Sequence, residues 1–212
     1  MKTKMILLTA AFGLTSALAL GQTTIASFPM TGDSISPSLG GDIAVFSFSG
    51  TDNFSDVAAT TGFNDAVNQT GGWGTGSYWE LTLDLTDYTD ASISAWGQRS
   101  SNTGPRDFRV IVSYNGGTDF STIVADYTVP NTTAGFSGSS FSLGALADNN
   151  SDVVVRWLNF SDTSVTGGTI NAGAGTSRFT DFTVTAIPEP GSIILMGIMG
   201  AAAFLVLRRK KT

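Results

Sequence analysis

Trp79, Leu81, Leu83 and Leu85 alternate with Glu80, Thr82 and Asp84, and this period of two is what most restricts the fold. Successive side chains on a strand point to opposite faces, so the run reads as a strand with one buried and one wet face. Phe108, Val110, Val112 and Tyr114 alternate in the same way with Arg109 and Ser113. Between such runs stand Gly, Asn, Asp and Ser, and from Thr23 to Ala186 no stretch sustains the 3.6-residue period of an amphipathic helix.

Strands are expected at 24–28, 42–48, 78–85, 91–98, 107–114, 122–127, 140–143, 152–159 and 178–186. The run 152–159 is apolar on both sides apart from Arg156, which predicts a central strand covered on both faces. Asn115-Gly116-Gly117 predicts a hairpin turn joining 107–114 to 122–127, because Gly supplies the positive φ such turns need. The segment 51–77, with its Gly71-Gly72-Trp73-Gly74-Thr75-Gly76 loop, is expected to be irregular. Short strands at this spacing, in a region of 165 residues from 22 to 186, predict an all-β fold: a two-sheet antiparallel jelly-roll β-sandwich.

The chain contains neither cysteine nor histidine. Thiol nucleophiles, disulfides, Cys/His zinc sites and His-dependent triads are therefore excluded. Between 22 and 186 five arginines face sixteen carboxylates, a net charge of about −11, with no lysine. Such a surface repels polyanions, so nucleic acid is not an expected partner. The Gly71–Gly76 loop lacks the Lys-Ser/Thr ending of a phosphate cradle. An enzyme built from these residues would be a carboxylate-pair hydrolase. Glu80, the sole glutamate between 22 and 186, has no partner evident in the sequence, and the expectation is a protein that is not an enzyme.

Both ends carry export signals. Lys2 and Lys4, the apolar stretch 5–14 and small residues up to Gly21 form a secretory signal peptide, 1–21, with Gln22 as the first mature residue; cleavage after Ala19 also satisfies the pattern. At the other end, 187–212, Pro188-Glu189-Pro190 precedes an apolar run, 191–207, and then Arg208, Arg209, Lys210 and Lys211. Seventeen residues make about 25 Å of helix, enough for a single transmembrane span through a thin bilayer. The four cations keep the C-terminus in the cytoplasm and leave the β domain outside. Each proline fixes φ and restricts the residue before it, so Pro188-Glu189-Pro190 is expected as a stiff, extended, solvent-facing segment.

Signal peptide, Pro-Glu-Pro, apolar helix and terminal basic cluster, in that order, resemble the PEP-CTERM family of sorted proteins. The resemblance implies a partner, exosortase, a membrane protease or transpeptidase that removes the tail at or near Pro188, Glu189 and Pro190. It also implies transient residence in the inner membrane of a Gram-negative envelope, and a mature protein at the cell surface or in an exopolysaccharide matrix.

The β domain has a second resemblance. A Gly/Trp loop, a Tyr-Trp-Glu-Leu strand at 78–81, the run 94–108, Val112-Ser113-Tyr114-Asn115-Gly116-Gly117 and a closing Arg178-Phe179-Thr180-Asp181-Phe182-Thr183-Val184 are similar in layout to jelly-roll modules of the galactose-binding and carbohydrate-binding type. Exopolysaccharide is then the expected ligand, and exposed aromatic rings the expected contacts. Tyr78 and Trp157 merit inspection, while Trp73 in its loop and Trp96, on the side of its strand with Ser94 and Gln98, are the foremost candidates for sugar stacking. Asp33, Asp42 and Asp181, near the two ends of the domain, are candidate ligands of a structural calcium, the one cofactor considered. Asp84, Asp87 and Asp90, spaced by three, are a second carboxylate group. The alternatives to a glycan-binding surface protein are a secreted carboxylate-dependent glycan hydrolase and a purely structural adhesion or matrix protein.

Overall fold

The computed structural model describes residues 21–57, 66–132 and 134–189. The expected signal helix, the transmembrane segment 191–207 and the cytoplasmic cations 208–211 lie outside the described residues. Those described form β1 (Thr23–Phe28), β2 (Ala44–Phe48), β3 (Phe54–Val57), β4 (Ala66–Thr70), β5 (Tyr78–Leu83), β6 (Tyr88–Ile93), β7 (Trp96–Ser100) and β8 (Asp107–Ser113). Then come β9 (Ser121–Thr128), β10 (Phe136–Gly138), β11 (Phe141–Ser142), a 3-10 turn at Ala145–Ala147, β12 (Val153–Asn159), β13 (Thr176–Thr180) and β14 (Phe182–Pro188). Every strand pair is antiparallel.

One layer is the five-stranded sheet β2-β5-β12-β8-β9. The alternation that predicted β5 holds residue by residue, with Trp79, Leu81 and Leu83 buried; in β8 Phe108, Val110 and Val112 are buried as expected, but Asp107 and Ser113, on the opposite phase at the ends of the strand, are buried too. The hairpin between β8 and β9 turns through Gly116 (φ 69°) and Gly117 (φ 86°). β12 is the central strand, but its two faces differ. Val153, Val155 and Trp157 are buried inward; on the outside Val154 is covered as expected, whereas Arg156 and Leu158 stay partly exposed.

The second layer consists of two ladders, β1-β14-β6-β11 and β10-β7-β13-β4-β3. Its runs at 91–98 and 178–186, expected as single strands, are each broken in two. β6 and β7 are separated by Ser94 and Ala95, β13 and β14 by Asp181, and β10 and β11 by Ser139 and Ser140. All three breaks fall between the same neighbours in the same order, so the layer is one sheet bent along a line. Hydroxyls replace the missing ladder bonds there: Gly97 N donates to Thr180 Oγ1 at 2.6 Å, and Thr183 N to Ser94 Oγ at 2.8 Å. A backbone group left unpaired at such a bend would cost about as much as a lost hydrogen bond, so these two residues make the bend tolerable.

The layers meet through aromatic rings. Phe46 packs on Phe179 at 5.4 Å and on Phe182 at 5.3 Å, and Trp157 meets the same two rings at 5.1 and 5.8 Å. These tilted and edge-on contacts join the flat sheet to both halves of the bent one, which makes the fold a single sandwich. Buried polar groups cross the same gap. Trp79 Nε1 and Gln98 Nε2 each lie 3.4 Å from Ser177 Oγ, and Tyr127 OH donates to Gln98 Oε1 at 2.9 Å.

Candidate functional site

The four tryptophans are core residues. Trp73, expected to stand out from its loop, is 1% exposed, packed on Phe48, Trp79 and Phe108 and donating from Nε1 to Gln69 O at 3.2 Å. Trp96 is 3% exposed and edged by Tyr127, Phe136, Phe141 and Trp157. β10 crosses directly over its ring at Gly138, where a Cβ would overlap the indole. Neither ring presents a face for stacking on a sugar, which corrects the expectation for both.

The carboxylates expected to hold calcium are not assembled either. Among the described residues no group of three or more acidic side chains is placed to bind a metal ion. Asp33, Asp42 and Asp181 are each exposed and form no such group. The second acidic group is turn architecture. Asp84 Oδ1 accepts from Thr86 N at 3.0 Å, and hydrogen bonds from the Thr86 side chain and backbone hold its carboxyl below the usual value against a small opposing effect of burial. Asp87 and Asp90 take φ of 66° and 52°, conformations in which aspartate is enriched.

Exposed aromatic chemistry gathers instead on the outer face of the flat sheet. Register places Ser47, Glu80, Arg156, Ile111 and Thr122 in one row across β2, β5, β12, β8 and β9, and Tyr78, Leu158 and Arg109 in the next. Arg156 Nε donates to Glu80 Oε2 at 2.6 Å, and both side chains keep about a fifth of their surface in solvent (23% and 21%). The Arg156 guanidinium lies 4.0 Å from the Tyr78 ring centroid and 4.3 Å from that of Phe120. Arg109 lies 4.3 Å over Phe160; its Nη2 donates to Asp126 Oδ2 at 3.1 Å, while its Nε, 3.0 Å from Oδ1, is not aligned to donate.

This face therefore carries three half-buried rings, two guanidinium groups and two carboxylates. The rings offer apolar surface of the kind that stacks on the C–H face of a sugar, and the charged groups offer donors and acceptors for its hydroxyls. Glu80 and Arg156 stood out in the sequence as polar residues on amphipathic or apolar strands. Phe120 and Phe160 gave no such signal, because they flank strands and join the face only through tertiary packing.

The sorting segment meets the fold at its last described residues. β14 continues two residues past Ala186, pairing Ile187 with Thr89 and Pro188 with Tyr88, and Glu189 N donates to Asp87 O at 2.8 Å. Pro188 is thus extended, as the sequence predicts, but as the last rung of the sheet, and the exposed Glu189 is tied to the sheet just beyond it.

The geometry defines an antiparallel β-sandwich whose closing strand runs into a C-terminal sorting segment. That segment, residues 186–210, is a PEP-CTERM protein-sorting motif, which implies processing by exosortase, export and sorting to the cell surface. No curated protein matches the chain. Among solved structures, the CBM22-1 xylan-binding domain of Paenibacillus barcinonensis Xyn10C aligns over 80% of this chain and 98% of its own, with 11% identity and a TM-score of 0.53. The N-terminal cellulose-binding domain of a Cellulomonas fimi β-1,4-glucanase aligns over 79% and 99%, with 12% identity and a TM-score of 0.43. The K1 cleaved adhesin domain of Porphyromonas gingivalis Lys-gingipain aligns over 76% and 97%, with 13% identity and a TM-score of 0.44. At 11% identity the first of these likenesses establishes the sandwich fold and nothing about a ligand.

Proposed function

We propose that this protein is a non-enzymatic surface or matrix component that is exported, cut by exosortase at or near Pro188, Glu189 and Pro190, and released from a transient inner-membrane anchor. Its sandwich, a jelly roll in this reading, binds the exopolysaccharide among which the mature protein resides. The observation that carries the binding half is the outer face of the flat sheet, where Tyr78, Phe120, Arg156 and Glu80 form one stacked, hydrogen-bonded group at the surface. The fold shared with a xylan-binding domain adds support from analogy alone. Glu80 is paired with a cation rather than a second carboxylate, an arrangement that suits holding a glycan better than hydrolysing one.

Two experiments test the two halves. Changing Pro188, Glu189 and Pro190 to alanine leaves the protein full length in the inner membrane; normal processing of that variant would refute sorting through this motif. Residues 22–189, which contain the whole described core, bind the host's own exopolysaccharide in calorimetric titration, and Tyr78→Ala and Phe120→Ala each weaken binding about tenfold, the scale of one lost ring contact. Undiminished binding by both variants would remove this face from the reading, and no binding by the parent would end it.

A further inference from the structure

The end of β14 is held on one side only. Its pairing with β1 ends at Ala186, opposite Thr23, so among the described residues Ile187, Pro188 and Glu189 are tied to the segment 87–89 alone. Pro188 has no N–H to donate, which leaves this last stretch of ladder weaker than the strand behind it. Thr89 Oγ1 adds a long bond to Ile187 O at 3.4 Å.

The segment receiving these rungs is braced unusually for a surface turn. Three of its residues or its neighbours' are non-glycine residues at positive φ: Asp87 (66°), Asp90 (52°) and Asn149 (53°). Such conformations are strained and persist where surrounding contacts over-determine them. Those contacts are present. Asp87 N donates to Asn149 Oδ1 and Asp90 N to Asp148 Oδ1, both at 2.9 Å, and Asn149 N returns a bond to Tyr88 O at 2.8 Å. Gln22, the expected first mature residue, donates from Nε2 to Asp90 O at 2.8 Å. Both ends of the described chain therefore close on one rigid corner.

We propose that this corner is a latch on the sorting motif: the folded sandwich holds Ile187–Glu189 as ladder rungs, and the motif enters the processing enzyme only when those rungs part. A protease takes its substrate as an extended segment with its own backbone partners. With one edge paired to β6, the strand cannot supply the groups on that edge or leave the sheet for the enzyme until it frays, so the rate of cutting follows the opening equilibrium of the corner. The latch rests on the proposed reading of Pro188–Pro190 as the cut site.

The test is a pulse-chase of the full chain in cells that make exosortase. Because the protein has no cysteine, the variant Thr89→Cys with Ile187→Cys introduces one pair at directly opposed positions, a spacing disulfides accept. Oxidised, this chain is cut at least tenfold more slowly than the same chain under reductant, and Asn149→Ala, which removes the Asp87 bond, is cut about fivefold faster than the parent. Equal rates for the oxidised and reduced pair, or an unchanged rate for Asn149→Ala, overturn the latch while leaving the cut site intact. A parent chain that is never cut refutes the sorting reading itself.

Discussion

Replacing Arg156 with alanine tests whether the outer face of the flat sheet is a built structure or a chance gathering of surface groups. The guanidinium makes a 2.6 Å bond to Glu80 and lies against two rings, Tyr78 and Phe120. A fully exposed pair contributes under about 1 kcal/mol and a buried charge-assisted bond roughly 1.5 to 3; with a fifth of each side chain in water, about 1 kcal/mol is the discounted value. Each cation–π contact adds roughly 0.5 to 1 kcal/mol. Arg156→Ala should therefore cost about 2 to 3 kcal/mol, a fall in Tm of roughly 5 to 10 °C for a domain of this size. Urea unfolding of residues 22–189 reads the loss directly, since all four tryptophans are buried and change their fluorescence on exposure. Arg156→Lys keeps the charge but not the planar stack and should lose about half as much. Adding Glu80→Gln to Arg156→Ala should cost little more than Arg156→Ala alone, because the two act as one unit. If Arg156→Ala proves no worse than Thr82→Ala, an exposed position on the same face, the stacked group contributes nothing and the face loses its claim to be preorganised.

Four further substitutions bear on the frame around that face. Gly138→Ala drives a methyl group into the Trp96 ring and separates β10 from β7, so it should destabilise by at least 2 kcal/mol in the same urea assay, whereas Gly116→Ala, with open space for its Cβ, is limited to the strain of its φ of 69°. Burial pushes the Asp107 carboxyl up, but hydrogen bonds from Arg106 and Ser161 and the Arg106 charge outweigh it and hold the group below its ordinary value. The unfolded chain then takes the proton first, so this stability is whole above about pH 4 and drains away as pH falls through the depressed value; Asp107→Asn should flatten that acid limb in unfolding measured from pH 7 to 2. Burial raises the Tyr127 hydroxyl well above its ordinary value, with a smaller opposing effect from Trp96, so its share of stability is whole below about pH 10 and is lost at higher pH. Tyr127→Phe should weaken that alkaline loss and cost roughly 1 to 3 kcal/mol at neutral pH, by leaving Gln98 Oε1 buried without its donor.

The flat sheet was readable because its strands advertise themselves locally. In β5 the apolar phase is the buried phase, in the middle of β8 likewise, and the Gly116-Gly117 turn sets β9 beside β8. β4 (Ala66–Thr70) was missed for the opposite reason. It buries Asn68 and Gln69, and Gln69 is satisfied by Thr51 O, Gly71 O and Asn53 N, partners that no local pattern announces. The same logic misplaced Trp96. It shares a phase with Gln98, which read as the wet side, yet Gln98 is fully buried between Ser177 and Tyr127. A polar phase marks a wet face only where tertiary hydrogen bonds do not claim it. The face around Arg156 was half readable: Glu80 and Arg156 stood out and Phe120 and Phe160 did not, and the meeting of the first two depends on a register between β5 and β12 that brings together positions 76 apart in the chain.

The sorting tail is legible from residue order alone, because its elements follow one another directly in the chain. Its junction with the domain is a different kind of object. Ala186 is fully buried and is also the first residue of the matched motif, and Val184, two residues earlier on the same strand, is core as well. No linker separates cargo from tail; the closing strand belongs to both. Ending the domain at Ala186 removes the Ile187 and Pro188 rungs and the Glu189 bond to Asp87, whereas grafting residues 186–210 onto another protein transfers those rungs without β6 to hold them. A grafted tail should therefore be cut faster than the native one if the latch operates, and at the same rate if the enzyme reads the linear segment without regard to the sheet behind it.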